Sequence, residues 1–373
     1  MSSGRRLAPQ SVVRATNQLG YDMLAQLCAD GIPSSGTVVS ALSITIALAM
    51  LAGGADENNC TSLCTKLGLG NLDDLTTTLS QLQDTLIRAS DGGPQFTIAN
   101  AVFADKDAGI ISTYIRYLER FDAHLDCSFT RLVDGTDQIN GWISCQTNGL
   151  IPSMLSRQIL AQANAVLVNA LVFKAKWQEK FNPKNTVRDF PFHTSDCRTT
   201  TVEMMFLHQQ EVLVSRNSDY TAACLPYESY DSSKWSFIAC LPNEDKSVND
   251  ILPSIRRQCI PRNFHRTKLM RFGLPKFNLR TQESIASRLR ELGYPISGTF
   301  PGIAAGFMVE HVIHSVAIVL DENGTEAAAA TAVVLTRSRQ KPLPSVVFDR
   351  PFVFLIVEQS TNVVVFTGVY SAP

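Results

Sequence analysis

The sequence predicts a single α+β domain, because helical patterns come early in the chain and strand patterns come later. Leucine and methionine recur at helical spacing between residues 19 and 27, and residues 72–89 form a second helical stretch. Residues 165–173 are a continuous apolar run, which is typical of a central strand buried on both faces. Two further apolar strands, separated by a polar turn, fill residues 351–369. No repeat or linker divides the chain, so we expect one continuous core.

Composition narrows the class of protein. The chain has 373 residues, 45% of them hydrophobic, which suffices for a large core. Its net charge of −1 argues against nucleic acid as the main partner. Its nine cysteines are scattered and none is spaced as Cys-x-x-Cys, so we expect no zinc site, no other metal or cofactor, and no disulfide framework. Thiols of this kind suit a reducing compartment.

The first part of the chain indicates a cytoplasmic protein without a membrane span. No apolar core follows residues 1–6, so a signal peptide is not visible, and residues 1–10 are expected to form a flexible extension. Residues 37–55 carry no charge and are long enough to cross a bilayer. Serine, threonine and glycine dilute this stretch, and we therefore favour a buried helix.

No catalytic motif is visible, so we do not expect an enzyme. The chain lacks the nucleophile elbow, the zinc-protease motif and the glycine-rich nucleotide loops. His311 and His314 lie three apart in a strand pattern, where they face opposite sides and do not share one metal. A triad assembled from distant parts of the chain stays open, because triads are built in space.

A basic run at residues 254–271 is a candidate binding patch. It can bind a sulfated polysaccharide, such as a glycosaminoglycan, or another acidic surface, and the alternative is a solvated face without a ligand. The patch comprises Arg256, Arg257, Arg262, Arg266 and Lys268.

The segment 322–339 is not committed to one secondary structure by its own propensities. Its four consecutive alanines favour a helix, whereas the flanking threonines and valines favour a strand. In a strand, Thr325, Ala327, Ala329 and Thr331 share one uncharged face of small residues, which can enter a packed core. The alternative is an alanine-rich surface helix or linker.

Three motifs together resemble the serpin family, and the resemblance runs from about residue 11 to residue 373. Residues 322–331 are similar to the family's inhibitory hinge, residues 349–356 to its C-terminal signature, and residues 167–177 to its central strand. The resemblance implies about eight or nine helices around three β-sheets in a single domain covering residues 1–373. It also implies an exposed reactive centre loop at residues 322–347.

The resemblance also implies a mechanism. A serine protease attacks the loop and forms an acyl-enzyme. The cut loop then inserts as a strand into the central sheet and traps the protease in a covalent complex. The chain is expected to be a monomer, and leaderless members of the family can also reach the cell surface or the outside. The alternative is a non-inhibitory serpin that acts as a carrier, chaperone or storage protein.

Three sets of residues carry over from the family. The hinge corresponds to Glu322, Gly324, Thr325, Glu326, Ala327, Ala328, Ala329, Ala330 and Thr331. The region where the sheet opens corresponds to Ser40, Ser43, Asn169 and His314. The top of the sheet corresponds to Trp177, Lys276 and Glu322. We expect an ion pair between Lys276 and Glu322, and hydrogen bonds of Asn169 and His314 beneath the central strands.

The family's usual spacing from Thr325 places Ser338 just before the scissile bond. Arginine on either side of this serine suits a trypsin-like protease, whose pocket carries a carboxylate. We favour cleavage at Arg337–Ser338, then at Arg339–Gln340, and then between Ser338 and Arg339.

Overall fold

In the computed structural model, the described residues are 8–87, 94–161, 163–229, 234–309, 311–325 and 343–372. These residues contain nine α-helices and three β-sheets, which confirms the predicted α+β class and the architecture that the resemblance implies. The helices are α1 (Gln10–Leu27), α2 (Ala41–Ala52), α3 (Glu57–Lys66), α4 (Leu72–Ile87), α5 (Ser112–Leu118), α6 (Thr136–Gln146), α7 (Arg157–Leu160), α8 (Val248–Gln258) and α9 (Ala286–Glu291). Of the extension predicted at residues 1–10, the structure describes residues 8–10.

One sheet of six strands, the central sheet, carries the candidate site. Its strands are β2 (Gln95–Asp105), β3 (His124–Phe129), β4 (Ala165–Lys176), β12 (Phe277–Ser284), β13 (Val312–Leu320) and β14 (Gly324–Thr325). They follow the order β12-β13-β4-β2-β3, and β14 pairs with β4 beside this path. The central strand β4 runs parallel to β13 and antiparallel to β2.

Two further sheets complete the fold. The seven-stranded sheet contains β1 (Thr37–Val39), β7 (Glu211–Arg216), β8 (Tyr220–Pro226), β9 (Trp235–Pro242), β10 (His265–Lys268), β16 (Phe352–Glu358) and β17 (Val363–Tyr370). Its order is β1-β17-β16-β9-β8-β7-β10. The four-stranded sheet contains β5 (Val187–His193), β6 (Thr199–His208), β11 (Arg271–Pro275) and β15 (Ser345–Val347). Its order is β15-β11-β6-β5.

The inner face of the central sheet shares one core with α2 and the seven-stranded sheet. Leu171 and Phe173 of β4 belong to the same buried cluster as Leu48 of α2 and Phe366 of β17. The rings of Phe173 and Phe366 meet edge to face, with centroids 5.9 Å apart. Alternation along β4 sends Val168 to a second buried cluster on the opposite face. β4 is therefore covered on both sides, as its apolar run predicts.

Helix α2 is the buried helix predicted within residues 37–55. All twelve of its residues are buried. Apart from Ser43 and Thr45 the helix is apolar on every side, which is typical of a helix inside a core. The hydroxyl of Ser40 caps the N-terminus by accepting a hydrogen bond from the backbone N–H of Ser43 at 3.3 Å. Within the described ranges, no helix is both long and apolar enough to cross a membrane.

Candidate functional site: the loop start and the opening of the central sheet

The start of the predicted reactive loop forms part of the central sheet. The parallel ladder between β4 and β13 ends at the pair Val172–Ala317. Beyond it, the last residues of β4, Ala175 and Lys176, pair in the antiparallel direction with β14. For two residues, β14 therefore occupies the place of an additional antiparallel strand next to β4.

A tight turn at residues 321–324 reverses the chain from β13 into β14. Asp321 and Gly324 exchange backbone hydrogen bonds of 2.8 and 3.3 Å. The backbone N–H of Trp177 donates to the carbonyl of Asn323 at 2.7 Å, and its indole N–H donates to the carbonyl of Asp321 at 2.9 Å. Gly324 has a φ of +136°, and a Cβ there would lie 2.1 Å from the carbonyl oxygen of Ala175. Glycine is therefore required at this position.

Glu322, inside this turn, anchors the loop start to the four-stranded sheet. Its carboxylate lies 3.3 Å from the Nζ of Lys276, which also binds Glu203 at 3.4 Å. The Thr186 hydroxyl donates to Glu322 at 2.7 Å, and the backbone N–H of Phe181 donates to the Glu322 carbonyl at 2.9 Å. Burial raises the pKa of Glu322, but the Thr186 hydrogen bond and the charge of Lys276 outweigh it, and the pKa lies below its ordinary value. The structure thus contains the expected Lys276–Glu322 ion pair.

Trp177 holds the turn against the core. Its ring is 1% exposed and stacks on Tyr227, with centroids 4.7 Å apart. Phe237 meets it edge to face at 5.8 Å. Because the Trp177 ring packs against these two aromatic rings, its indole N–H is held pointing towards the turn.

A row of buried polar side chains crosses the inner face of the central sheet. Asn100 of β2, Asn169 of β4 and His314 of β13 lie opposite one another in register, and each is 2% exposed. The Asn169 amide donates to the Asn100 oxygen at 2.6 Å. The backbone N–H of Ser40 donates to Nε2 of His314 at 3.2 Å. Together with Ser43, which follows Ser40 on α2, the predicted sheet-opening residues therefore lie in one place.

This polar row is incompletely paired. Ser43 Oγ, Asn169 Oδ1 and His314 Nδ1 are buried and have no hydrogen-bond partner among the residues that the structure describes. Burial lowers the pKa of His314 to about 3, so the imidazole is neutral at neutral pH. Because its Nε2 accepts a hydrogen bond, the ring proton is on Nδ1. An acceptor on β4 and a donor on β13 are thus left free on neighbouring strands.

Part of the predicted site lies outside the described residues. Of the hinge, Glu322 and Gly324 are placed in the turn, and Thr325 pairs with Ala175. The positions outside are Glu326, Ala327, Ala328, Ala329, Ala330, Thr331, Arg337, Ser338, Arg339 and Gln340.

The structure divides the predicted basic patch. Arg256 on α8 binds Asp22 of α1 at 2.8 Å. Arg266 on β10 lies 3.8 Å from the carboxylate of Glu211. Arg262 instead lines an open groove between α8, β7 and β10. The basic residues of the patch therefore lie in different local environments, and nearby carboxylates neutralise their charges to different extents.

Three residues that take part in the site were not predicted from the sequence. Asn100 carries a signal of the same kind as Asn169, because it is a single amide in an apolar strand pattern. Thr186 and Glu203 carry none, because nothing in their local sequence distinguishes them from ordinary surface residues beside the four-stranded sheet.

Comparisons with known proteins agree with this geometry. The family profile described as Serpin (serine protease inhibitor) matches residues 14–373. Serpin-Z3 of Arabidopsis thaliana is 28% identical over 360 residues, which cover 90% of this chain and 90% of the relative. The leukocyte elastase inhibitor of Equus caballus is 28% identical over 365 residues, which cover 91% of this chain and 94% of the relative.

A solved structure shows the same fold. The Arabidopsis serpin AtSerpin1, in its native stressed conformation, matches with a TM-score of 0.82 and 25% identity, over 97% of this chain and 98% of that chain. The fold and the matched profile define the class of protein, a family described as serine protease inhibitors. The chain belongs to the serpin family.

Proposed function

We propose that this serpin inhibits arginine-directed serine proteases by a suicide-substrate mechanism. The observation that carries the proposal is the antiparallel pairing of β14 with the end of β4, where β13 has already separated from β4. The loop start therefore lies next to β4 and runs antiparallel to it, which are the place and the direction that an inserted strand would need.

The register of β14 allows the rest of the inserted strand to be placed. Thr325 pairs with Ala175, so continuing the ladder by two residues places Ala327 beside Phe173. Two more steps place Ala329 beside Leu171. Because paired side chains share one face, these alanines would enter the buried core on the inner face of the sheet. Small uncharged side chains at these positions support insertion, because a larger or charged group would not pack there.

The length of the segment also supports the proposal. Thr325 to Arg337 is thirteen residues, roughly 40 Å in extended form. If the register of β14 continues, Leu335 would lie beside Ala165, the first residue of β4. Insertion would then carry a protease bound at Arg337 along the whole length of the central sheet.

The chemistry of trapping follows from this displacement. The protease serine attacks the carbonyl carbon of Arg337, an ester forms, and the amine of Ser338 leaves. Insertion of the cut loop competes with hydrolysis of that ester by water. The native fold must therefore hold enough free energy behind a kinetic barrier to drive the movement.

Incubation with trypsin tests this function. We expect a complex stable in SDS and a released C-terminal peptide that begins at Ser338, read by mass spectrometry. Arg337→Ala should abolish the complex, whereas the matched variant Arg339→Ala should retain it. A peptide that begins at Gln340 would contradict the choice of bond. Cleavage without any stable complex would contradict inhibition and favour the non-inhibitory alternative.

A further inference from the structure

Three asparagine–glycine pairs occur in the sequence, at residues 140–141, 148–149 and 323–324. In such a pair the backbone nitrogen of the glycine can attack the side-chain amide carbon of the asparagine, because glycine has no side chain that hinders the approach. The ring that forms consumes the N–H of that glycine. How readily each pair reacts therefore depends on how firmly the structure holds the asparagine side chain and the glycine N–H.

Two of the pairs are held firmly, within α6 and just beyond its C-terminal end. The Asn140 oxygen accepts from the backbone N–H groups of Met154 and Leu155 at 2.8 and 2.9 Å. The Asn140 amide donates to the Leu155 carbonyl at 2.8 Å. The N–H of Gly149 donates to the carbonyl of Ser144 at 2.8 Å. Ring closure at either pair would break well-formed hydrogen bonds.

The third pair, in the turn before β14, is held less firmly at the atoms that would react. Among the described residues, the half-buried side chain of Asn323 forms no hydrogen bond, and only its backbone N–H donates, to Asp321. The N–H of Gly324 donates to the Asp321 carbonyl over 3.3 Å, which is a long hydrogen bond. The Asn323 carbonyl, which accepts from Trp177 at 2.7 Å, stays a carbonyl in the ring. Ring closure here therefore removes the longest hydrogen bond among the described contacts of the turn.

We propose that Asn323 is a deamidation site whose product separates the loop start from the central sheet. The backbone nitrogen of Gly324 bonds to Cγ of Asn323, the Cγ–NH₂ bond breaks, and ammonia leaves with the proton of the Gly324 N–H. Water then opens the resulting succinimide. Attack of water on Cγ gives aspartate, and attack on the backbone carbonyl carbon gives isoaspartate. One water is consumed and one ammonia is released, without oxidation or reduction.

Isoaspartate lengthens the main chain by one methylene group inside the turn. On one side of this group, the turn is anchored to Trp177, and on the other side β14 pairs with Ala175 and Lys176 of β4. The turn has no room for the extra group, because even a Cβ on Gly324 would lie 2.1 Å from the Ala175 carbonyl oxygen. The Trp177 anchor and the pairing with β4 are then not both kept. Aspartate has the normal chain length and leaves both in place.

The functional consequence rests on the proposed inhibition, whereas the chemistry does not. A loop start that no longer pairs with β4 would not begin the inserted strand, so a protease would cleave the loop and be released. Isoaspartate formation would thus act as a slow timer that converts the inhibitor into a substrate.

Ageing of the full-length protein at physiological temperature and pH tests the site. Peptide mapping by mass spectrometry should show conversion of Asn323 at least about fivefold faster than that of Asn148 or Asn140. Labelling with an isoaspartyl methyltransferase detects the isoaspartate. Amide exchange of Trp177 should become at least about tenfold faster in the converted protein. Conversion of Asn148 or Asn140 at an equal or higher rate would overturn the choice of site, and conversion of Asn323 with unchanged exchange would overturn the separation from β4.

Two variants separate the charge from the chain length. Asn323→Gln keeps an amide but does not close the five-membered ring, so the same ageing should leave its Trp177 exchange unchanged. Fresh Asn323→Asp carries the charge without the methylene and should keep slow exchange, and fast exchange in this variant would refute the role of chain length. Incubation of aged wild type with the methyltransferase and S-adenosylmethionine returns isoaspartate to aspartate and should restore slow exchange.

Trypsin trapping is scored separately on fresh and aged wild type. Failure of the fresh protein to trap would refute the proposed inhibition and leave the deamidation result standing. Unchanged trapping after conversion of Asn323 to isoaspartate would overturn the timer.

Discussion

Acidification should destabilise the native state through one buried histidine. His314 is 2% exposed, accepts a hydrogen bond from the Ser40 backbone at Nε2, and is neutral because burial lowers its pKa to about 3. Glu283 lies opposite it in the β12–β13 ladder, but that carboxylate binds Arg288 at 3.2 Å. In the unfolded chain, the imidazole regains its ordinary pKa and takes up a proton below about pH 6.5.

The size of the effect follows from these two pKa values. Below about pH 6.5 the unfolded state binds one more proton than the native state, so the free energy of unfolding falls as the pH falls. At about pH 5 the loss from this one group is about 2 kcal/mol, at about 1.4 kcal/mol for each pH unit. The loss stops growing near pH 3, where the native imidazole also becomes protonated.

Urea unfolding of the wild type and of His314→Gln measures this contribution. Glutamine keeps an acceptor for the Ser40 backbone N–H but does not titrate in this range. Between neutral pH and about pH 5, the wild type should lose about 2 kcal/mol more of its unfolding free energy than the variant. Other titrating groups act in both proteins and cancel in the difference. An equal pH dependence of the two proteins would refute the assignment.

Three further changes test the loop start. Lys276→Met removes the cation beside Glu322, so the unfolding free energy measured in urea should fall by about 1 kcal/mol, and Lys276→Arg should preserve most of it. Ala329→Glu would bury a charge in the inserted strand, so trypsin should cleave this variant without forming an SDS-stable complex, whereas Ala329→Ser should still trap. Gly324→Ala adds a Cβ where none fits, so amide exchange of Trp177 should speed up at least about tenfold by mass spectrometry.

Each of these changes has an outcome that contradicts its reasoning. An unchanged stability of Lys276→Met would mean that solvent screening cancels the ion pair. Stable complexes of Ala329→Glu would show that the proposed register is wrong. Unchanged exchange of Trp177 in Gly324→Ala would show that the turn tolerates a side chain.

The parts of the fold that were predictable are those with a strong local signal. The apolar run in β4 and the uncharged stretch in α2 each indicate burial without knowledge of any partner. The loop start is different, because its propensities favour helix and strand alike. Its pairing with β4 depends on where the β4–β13 ladder ends, and that is set by contacts between segments far apart in the chain.

The candidate site was predictable to the extent that its residues are exceptions to their surroundings. Asn169 and His314 are polar residues in apolar strands, and such residues need partners. The partner of His314 is a backbone N–H of Ser40, which has no side-chain signature. Arg262 lines its groove only through the pairing of β7 with β10, so the basic run alone could not reveal that groove.

The incomplete pairing of the polar row is consistent with a sheet built to accept another strand. Asn169 Oδ1 lacks a donor and His314 Nδ1 lacks an acceptor within the described residues, and such groups cost free energy when buried. If the loop inserts in the β14 register, Thr331 would lie beside Asn169. A hydroxyl there can donate to the Asn169 oxygen and accept from the His314 N–H. Asn169 Oδ1 and His314 Nδ1 would then gain, on insertion, the hydrogen bonds that they lack before cleavage, and this gain would favour insertion. The buried polar row would thus act together with the small residues of the loop.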